Sequence, residues 1–333
     1  MNKEATLTPD ELARAVQILR SGHLVAIPTE TVYGLGADAS NPQAVTRIFD
    51  AKGRPKRHPV IVHVADSDPI DQSLIGWAAD IPDSARSLAA AFWPGPLTMI
   101  LKRGPKAHDG ITGGKPTIGL RVPSHPIALA IVRAFGDGIA APSANRFGHV
   151  SPTAAEHVRE ELGDRVQLIL DGGPCQVGVE STIIDLSGST PRLLRPGMIT
   201  SEAVESVLGV TLDTTIVTQS VSTSEAPGTL ASHYAPKAPV HVVAIDALNK
   251  EVKTAEQTKN WPAVLSFQER PVGWPEARWL RAPSEPKDCA RHLYASLRAL
   301  DESEPHHILV EAVPDNGLWT AIADRLRRAA APR

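Results

Sequence analysis

Residues 24–39 read L-V-A-I-P-T-E-T-V-Y-G-L-G-A-D-A, an apolar run from Leu24 to Ile27 that empties into a polar, glycine-ended segment. The apolar run has the length and content of a buried strand, and Pro28 ends it. Turns use Gly, Asn and Asp for backbone reasons. Thr29, Thr31 and Tyr33 add hydroxyls that a turn does not need, so the segment does more than close a hairpin. In open α/β sheets ligands bind outside the carboxyl ends of the strands, and these hydroxyls are expected to face one.

Upstream, Thr8-Pro9-Asp10-Glu11 supplies a capping-box Thr and Glu with Pro at the first helical position, and Gly22 stops the helix. Asn41-Pro42 opens a second helix closed by Gly53, and Pro59 to Ala65 is a β-branched strand. Further helices are predicted over Asp83 to Phe92, Ile127 to Phe135, Thr153 to Leu162 and a last one ending at Leu208. Strands fall at Leu97 to Lys102, Thr117 to Val122, Gly138 to Ala141, Val166 to Leu170, Thr182 to Leu186 and Arg192 to Leu194. This order predicts an α/β fold with a twisted, mixed, open sheet, antiparallel where two strands lack a helix between them.

Residues 1–210 form this first domain. Residues 211–238 turn to Thr, Ser and Val and then to Gly and Pro, the composition of a linker, yet they carry Ser232-His233-Tyr234. Residues 239–333 alternate strand and helix patterns again, the signature of a smaller βα domain. With 333 residues, two domains are expected. A net charge of -3 gives no global pull toward nucleic acid. Two cysteines exclude a disulfide framework or a Cys-rich zinc module and fit a reducing compartment. The start shows no secretory signal and no stretch reaches membrane-spanning length, so no membrane is involved and the cytoplasm is the expected location.

Two signals fail on inspection. Gly34-x-Gly36-x-x-Ala39 mimics a dinucleotide fingerprint, but Pro28 ends the strand before the first glycine. The Gly-rich run from Gly110 has Pro116 after Lys115, where a phosphate-binding loop needs Ser or Thr.

Other segments carry chemistry. Ala51 to Pro59 packs Lys52, Arg54, Lys56 and Arg57 into a backbone stiffened by two prolines, suited to a polyphosphate. His63 interrupts an apolar strand, the usual place for a core histidine bonded to backbone. Arg121 sits among apolar strand neighbours, where an unpaired guanidinium costs several kcal/mol, so it needs an internal or a bound carboxylate. Ala141 to Arg146, Ser151-Pro152-Thr153, Glu180-Ser181-Thr182 and Arg195-Pro196-Gly197 all place hydroxyls or arginines at strand termini or helix starts. No nucleophile-base triad accompanies them. The set describes a site for a polyanion and a small polar molecule, working by electrostatic positioning.

Taken together, these segments resemble the threonylcarbamoyl-AMP synthase family, the YrdC-like fold in its longer form with a C-terminal Rossmann-like domain. The resemblance rests on P-T-E-T-V-Y-G-L-G from Pro28, K-G-R-P from Lys52, P-V-I-V-H-V from Pro59, W-P-G-P-L-T from Trp93 and G-L-R-V-P from Gly119. It continues through A-P-S-A-N from Ala141, G-V-E-S-T-I-I-D from Gly178, L-R-P-G from Leu194 and S-H-Y-A-P from Ser232.

The resemblance implies a nucleotidyltransferase. L-threonine takes up bicarbonate to give a carbamate, which attacks the α-phosphorus of ATP and releases pyrophosphate. The adenylate then passes to the tRNA threonylcarbamoyl transfer machinery. L-threonine would be held by Thr31, His63, Arg121, Ala141 and Ser181. ATP would be held by Arg54, His58, Thr117, Ser143, Ser151, Arg195 and Tyr234, with Lys52 and Arg54 the catalytic candidates and Lys56 a further phosphate contact. Mg2+ is expected with the triphosphate, its protein ligands unassigned. Tyr234 would make the linker a lid over the site. The alternatives are a related carbamoyl transferase, disfavoured by the two cysteines, and an RNA-binding YrdC-like module. Residues through Leu208 carry slightly more acids than Lys plus Arg, which argues against a broad RNA-binding face.

Overall fold

In the computed structural model, which describes residues 6–215 and 233–332, the opening segment does pair back on itself. β1 (Val25–Ile27) runs antiparallel to β2 (Gly34–Asp38), with Ile27 opposite Gly34. The glycine-rich tail of the segment, expected to be a ligand loop, is therefore a strand. Residues 28–33 bridge the two strands as a wide connection. Gly36 explains how the tail packs: an added Cβ would lie 2.7 Å from Ile27 Cδ1 and 3.0 Å from the Val25 carbonyl oxygen.

The first sheet continues with β3 (Ile61–His63), β4 (Leu97–Lys102), β5 (Thr117–Arg121), β6 (Ile139–Ala140), β7 (Leu168–Ile169), β8 (Thr182–Asp185) and β9 (Arg192–Arg195). Their order is β7-β1-β2-β6-β3-β5-β4-β8-β9. The sheet is mixed: β3 pairs β5 in parallel, β4 pairs β5 antiparallel, and β8 runs parallel to β4. The helix starts read from sequence hold. Thr8 and Glu11 form a complete capping box, and Asn41 caps Pro42–Lys52, which ends at Gly53 in the left-handed region.

Register assigns the two faces. Ile61 lies opposite Gly119 and His63 opposite Arg121 on β5, while Ile100 lies opposite Gly119 on β4. Side chains alternate along a strand, so Ile61, His63, Arg121, Thr98 and Ile100 share one face. Val62, Met99, Leu120 and Ile184 take the other face and fill the main core. On the first face Ile139, opposite His63, joins Val25 and Ile27 in an apolar cluster beneath the helices Pro9–Arg20 and Pro126–Phe135. A smaller apolar cluster holds Ile61, Ile100, Ile183 and Leu194. Between them runs a polar strip with His63, Arg121 and Thr98, and a second domain packs beside it.

That domain is a parallel sheet of β10 (Val240–Val243), β11 (Ala263–Ser266), β12 (Trp279–Arg281) and β13 (Ile308–Glu311), in the order β10-β13-β11-β12. Its helices include Ile245–Thr258, Pro286–Glu302 and Trp319–Ala329. Residues 216–232 of the expected linker, including Ser232, lie outside the described residues. Among the described residues no helix is long and apolar enough to cross a membrane.

The two domains share a core. Val32, Val150 and Val179 pack with Cys289, Leu293, Tyr294 and Leu326 in one buried cluster. Gly178 marks the tightest approach: it has φ +80°, and a Cβ there would lie 2.4 Å from Arg291 Cα and 2.6 Å from the Ala290 carbonyl oxygen. Both of those neighbours are backbone and cannot swing aside. Gly178→Ala is therefore expected to cost roughly 1–3 kcal/mol through overpacking, with the left-handed penalty added. A urea denaturation midpoint unchanged from the unsubstituted chain would show that the domains are not pressed together there.

Candidate active site

Between the polar strip of the first sheet and the linker residues His233 and Tyr234 lies a cavity. Its wall includes Thr29, Thr31, Arg54, His63, Arg121, Ala141, Ser143, Glu180, Ser181, Arg195, His233 and Tyr234. The connection 28–33 forms one side. Thr29 Oγ1 donates to the Val32 carbonyl at 2.6 Å and accepts from the amides of Thr31 and Val32, which winds the connection into a side-chain-closed turn. Tyr33 is used structurally rather than for a ligand. It is fully buried, and its hydroxyl donates to the Gly173 carbonyl at 2.8 Å and accepts from the Gly172 amide.

The opposite side is the loop after β6. Leu35 N donates to the Pro142 carbonyl, Ala144 N donates to the Tyr33 carbonyl, and Lys52 Nζ donates to the carbonyls of Ser143 and Asn145. Lys52, a catalytic candidate from sequence, is thus a clamp behind the loop and not part of the cavity wall. Burial, with the charge of Arg54 adding, holds its pKa well below the lysine range. Lys56 is exposed and lies 4.0 Å from Asp50, away from the cavity.

Two arginines are satisfied unequally, and for Arg121 the internal of the two carboxylates left open by the sequence is present. Arg121 already has its carboxylate: Nη2 lies 2.6 Å from Glu30 Oε1, and the pair is about 95% buried on both sides. The alignment is poor for a hydrogen bond, and neither Glu30 oxygen has another hydrogen-bond partner. The contact is a charge pair. Arg121 also donates from Nε to the Gly95 carbonyl and from Nη1 to Thr31 Oγ1, at 3.1 and 2.9 Å. A bound carboxylate is therefore not required to neutralise it. The polar segment's Glu30 was left without a role in the sequence, although a buried-type arginine asks for such a residue.

Arg54 has the shortage instead. Its guanidinium is buried, donates through Nη2 to the Pro59 carbonyl at 2.8 Å, and keeps Nε without a partner. Among the described residues no carboxylate pairs with it. Burial pulls its pKa down to about 10, with Tyr234 opposing and Arg195 reinforcing the fall. Arg195 donates from Nε to the Ser181 carbonyl and from Nη2 to Ser181 Oγ, both at 3.0 Å. Ser181 Oγ also meets Thr98 Oγ1 at 2.8 Å, which fixes the hydroxyl at the foot of β8.

Histidines complete the wall. His63 is buried on the cavity face and makes no hydrogen bond to the described residues, contrary to the backbone-bonded core histidine expected. Burial first, then Arg121, holds its pKa well below the ordinary value, so the ring is neutral. His233 is held at about 3, chiefly by burial. Tyr234 has φ +63°, packs on His233 at 4.2 Å between ring centres, and is 1% exposed. The cavity thus gathers all five residues expected around threonine and four of those expected around ATP: Arg54, Ser143, Arg195 and Tyr234.

The other three do not reach the wall. His58 is half-buried at the edge of Phe147, 5.4 Å between ring centres. Thr117 opens β5, roughly 13 Å along the strand from Arg121. Ser151 stands behind Glu180, donating to its Oε1 at 2.6 Å. Glu180 also accepts from Tyr294 Oη at 2.9 Å and Arg325 Nε at 2.7 Å, both from the second domain. Burial alone would lift its pKa, but Arg325 and then Arg195, with the Ser151 and Arg325 hydrogen bonds, hold it at about 2. Tyr294 and Arg325 gave no signal in sequence, since each sits in a helix that reads as ordinary and amphipathic.

No group of three or more His, Cys, Asp and Glu able to hold a metal occurs among the described residues. Glu180 is the carboxylate on the cavity wall, and both its oxygens are taken. The residues do not form a resident metal site.

The fold and cavity define a two-domain YrdC-like α/β protein with a guanidinium-lined cavity. Family models agree: one described as "Telomere recombination", for the Sua5, YciO and YrdC proteins, matches residues 17–197. One described as "Threonylcarbamoyl-AMP synthase, C-terminal domain" matches residues 199–331. The chain is 40% identical to the threonylcarbamoyl-AMP synthase of Bacillus subtilis (strain 168), over 99% of this chain and 96% of that one. It is 41% identical to that of Pyrococcus abyssi, over 96% and 94%. The crystal structure of P. abyssi Sua5 complexed with L-threonine superposes with a TM-score of 0.90 at 38% identity, covering 98% of this chain and 96% of that one. The chain belongs to the threonylcarbamoyl-AMP synthase family.

The depressed histidines set a pH dependence. In the unfolded chain His63 and His233 take up protons below pH 6.5, whereas the folded chain does not until far lower pH. The unfolded state then binds more protons, so stability falls as pH falls from about 6.5 toward 4, by up to about 1.4 kcal/mol per pH unit for each histidine. Denaturation midpoints at pH 7.5 and 5.0 check this. A midpoint that rises on acidification would mean that these rings are protonated in the fold.

Proposed function

We propose that this chain joins L-threonine, bicarbonate and ATP into L-threonylcarbamoyladenylate, releasing pyrophosphate. The observation that carries the reading is the pairing of unlike ends in one cavity. At one end Arg121, braced by Glu30, stands beside Thr31 and the neutral His63. At the other, the buried Arg54 guanidinium has a free Nε and no carboxylate of its own. Together with the family and the threonine-bound relative, this fits an amino acid at the first end and a polyphosphate at the second.

In this reading the carboxylate of threonine lies against the remaining N–H groups of Arg121, and its hydroxyl meets Thr31 and the neutral imidazole of His63. A neutral ring both accepts and donates, which suits a hydroxyl better than an imidazolium would. The amine and bicarbonate give a carbamate and water. A carbamate oxygen bonds to the α-phosphorus as the bond to pyrophosphate breaks, and the leaving negative charge is met by Arg54 and Arg195. Mg2+ enters with ATP as part of the substrate, since the described residues form no resident site. The chain is then a nucleotidyltransferase acting through placement and charge, with no covalent intermediate on the protein.

His233 and Tyr234 roof the cavity and are buried there, so ATP enters by moving them, and their return excludes water from the labile adenylate. Such a product suits direct hand-over to a tRNA-modifying transferase in the cytoplasm.

Incubation with ATP, L-threonine, bicarbonate and Mg2+ should yield the acyl-adenylate by mass spectrometry and pyrophosphate in step with it. Pyrophosphate release that ignores threonine would sink the reading. Arg54→Met should raise the KM for ATP by roughly tenfold or more while the KM for threonine changes little. Arg121→Met should do the reverse, with a stability loss of about 3–5 kcal/mol because Glu30 is left buried and unpaired. Equal effects on both substrates from either change would contradict the division of the cavity.

A further inference from the structure

Arg325 lies on the last helix of the second domain, yet its side chain is wholly buried against the cavity wall of the first. Nε donates to Glu180 Oε2 at 2.7 Å and Nη2 to the Pro196 carbonyl at 3.0 Å, while Nη1 donates to Asp324. The guanidinium carbon also lies 5.2 Å from the centre of the Tyr234 ring. One side chain from the second domain therefore meets a wall carboxylate, the turn that follows Arg195, and the roofing tyrosine.

The chemistry of the wall makes that contact matter. Glu180 is a carboxylate lining a cavity whose other charged groups, Arg54, Arg121 and Arg195, are cations. Left to itself, a carboxylate there would repel a polyphosphate and compete with it for the neighbouring guanidiniums. The proton shared from Tyr294 and the one from Ser151 satisfy lone pairs but add no positive charge. Arg325 is the cation hydrogen-bonded to Glu180, through the oxygen that also accepts from Tyr294.

We propose that Arg325 is a positioning residue for the nucleotide half of the site: by neutralising Glu180 from behind, it leaves the cationic wall to the phosphates of ATP. The inference deepens the function proposed above and rests on ATP being a ligand. It gives the second domain a role in nucleotide affinity that the first domain's own residues do not supply.

The test reads ATP binding directly, by calorimetry on the full chain with Mg2+, so that it does not depend on turnover. Arg325→Met is expected to weaken ATP by roughly ten- to hundredfold, the scale seen when the partner orienting a ligating group is removed, and to change L-threonine affinity by less than about threefold. Adding Glu180→Gln to that variant removes the uncompensated charge and should recover most of the loss. A residue that only holds the domains together would show no such rescue. Arg325→Lys, which keeps the charge without the fork, serves if the Met variant gives no cooperative melt, and should bind ATP within about threefold of the unsubstituted chain. ATP affinity unchanged in Arg325→Met, or a double variant no better than the single one, overturns the proposal, as does a Lys variant tenfold or more weaker. An unsubstituted chain that binds ATP but makes no adenylate counts against the function above and leaves Arg325 to be judged on affinity alone.

Discussion

Three guanidiniums share one cavity, and keeping them charged there is the constraint from which the rest of the site follows. Arg54, Arg121 and Arg195 are all buried, and each would lose several kcal/mol if left without partners. The protein solves this differently for each. Arg121 receives a full carboxylate from Glu30, Arg195 is tied to both oxygens of Ser181, and Arg54 receives one carbonyl only. The unequal solutions make the cavity directional. Its amino-acid end is already neutral overall, and its Arg54 end retains positive charge for an incoming anion.

The same constraint explains why the roof over the polar strip is packed into the second domain. An open sheet face carrying His63, Arg121 and Thr98 would be flooded by water, and at high dielectric these groups would hold a substrate weakly. His233 and Tyr234 roof it, and Tyr234 is packed in the cluster that Val32, Val150 and Val179 share with Leu293 and Leu326, which lowers the dielectric. Closing it also buries Glu180 and the neutral His63, and the helix Trp319–Ala329 brings the Arg325 charge that Glu180 then needs.

Much of this was legible in the sequence. Capping boxes, prolines at helix starts and left-handed glycines are local signals, so helices such as Pro9–Arg20 and Pro42–Lys52 fell where the residues place them. The cavity residues from Thr31 to Arg195 were also legible, because hydroxyls and arginines among apolar strand residues are anomalies visible without coordinates. Three features were not. β2 was missed because Gly34 and Gly36 read as turn residues, and only the packing against Ile27 and Val25 shows why a strand there must lack side chains. Glu30 was overlooked because its partner, Arg121, lies far along the chain, and pairing at that range follows strand register, not spacing. Arg325, the third, comes from a helix of ordinary amphipathic pattern, and nothing in that pattern points to Glu180.

Lys52 and Ser151 show the limit from the other side. Both residue types suggest phosphate contact, and both are spent on the protein itself: Lys52 on the carbonyls of the 143–145 loop, Ser151 on Glu180. Each stands one layer behind a residue that does face the cavity. A motif read residue by residue does not distinguish the wall from the layer that aims it, because both layers need polar groups and both are buried. What separates them is the count of unsatisfied donors. Arg54 keeps one without a partner and Lys52 hands its own to the chain, and by that measure the arginine is the group left to meet an anion while the lysine sets where Ser143 stands.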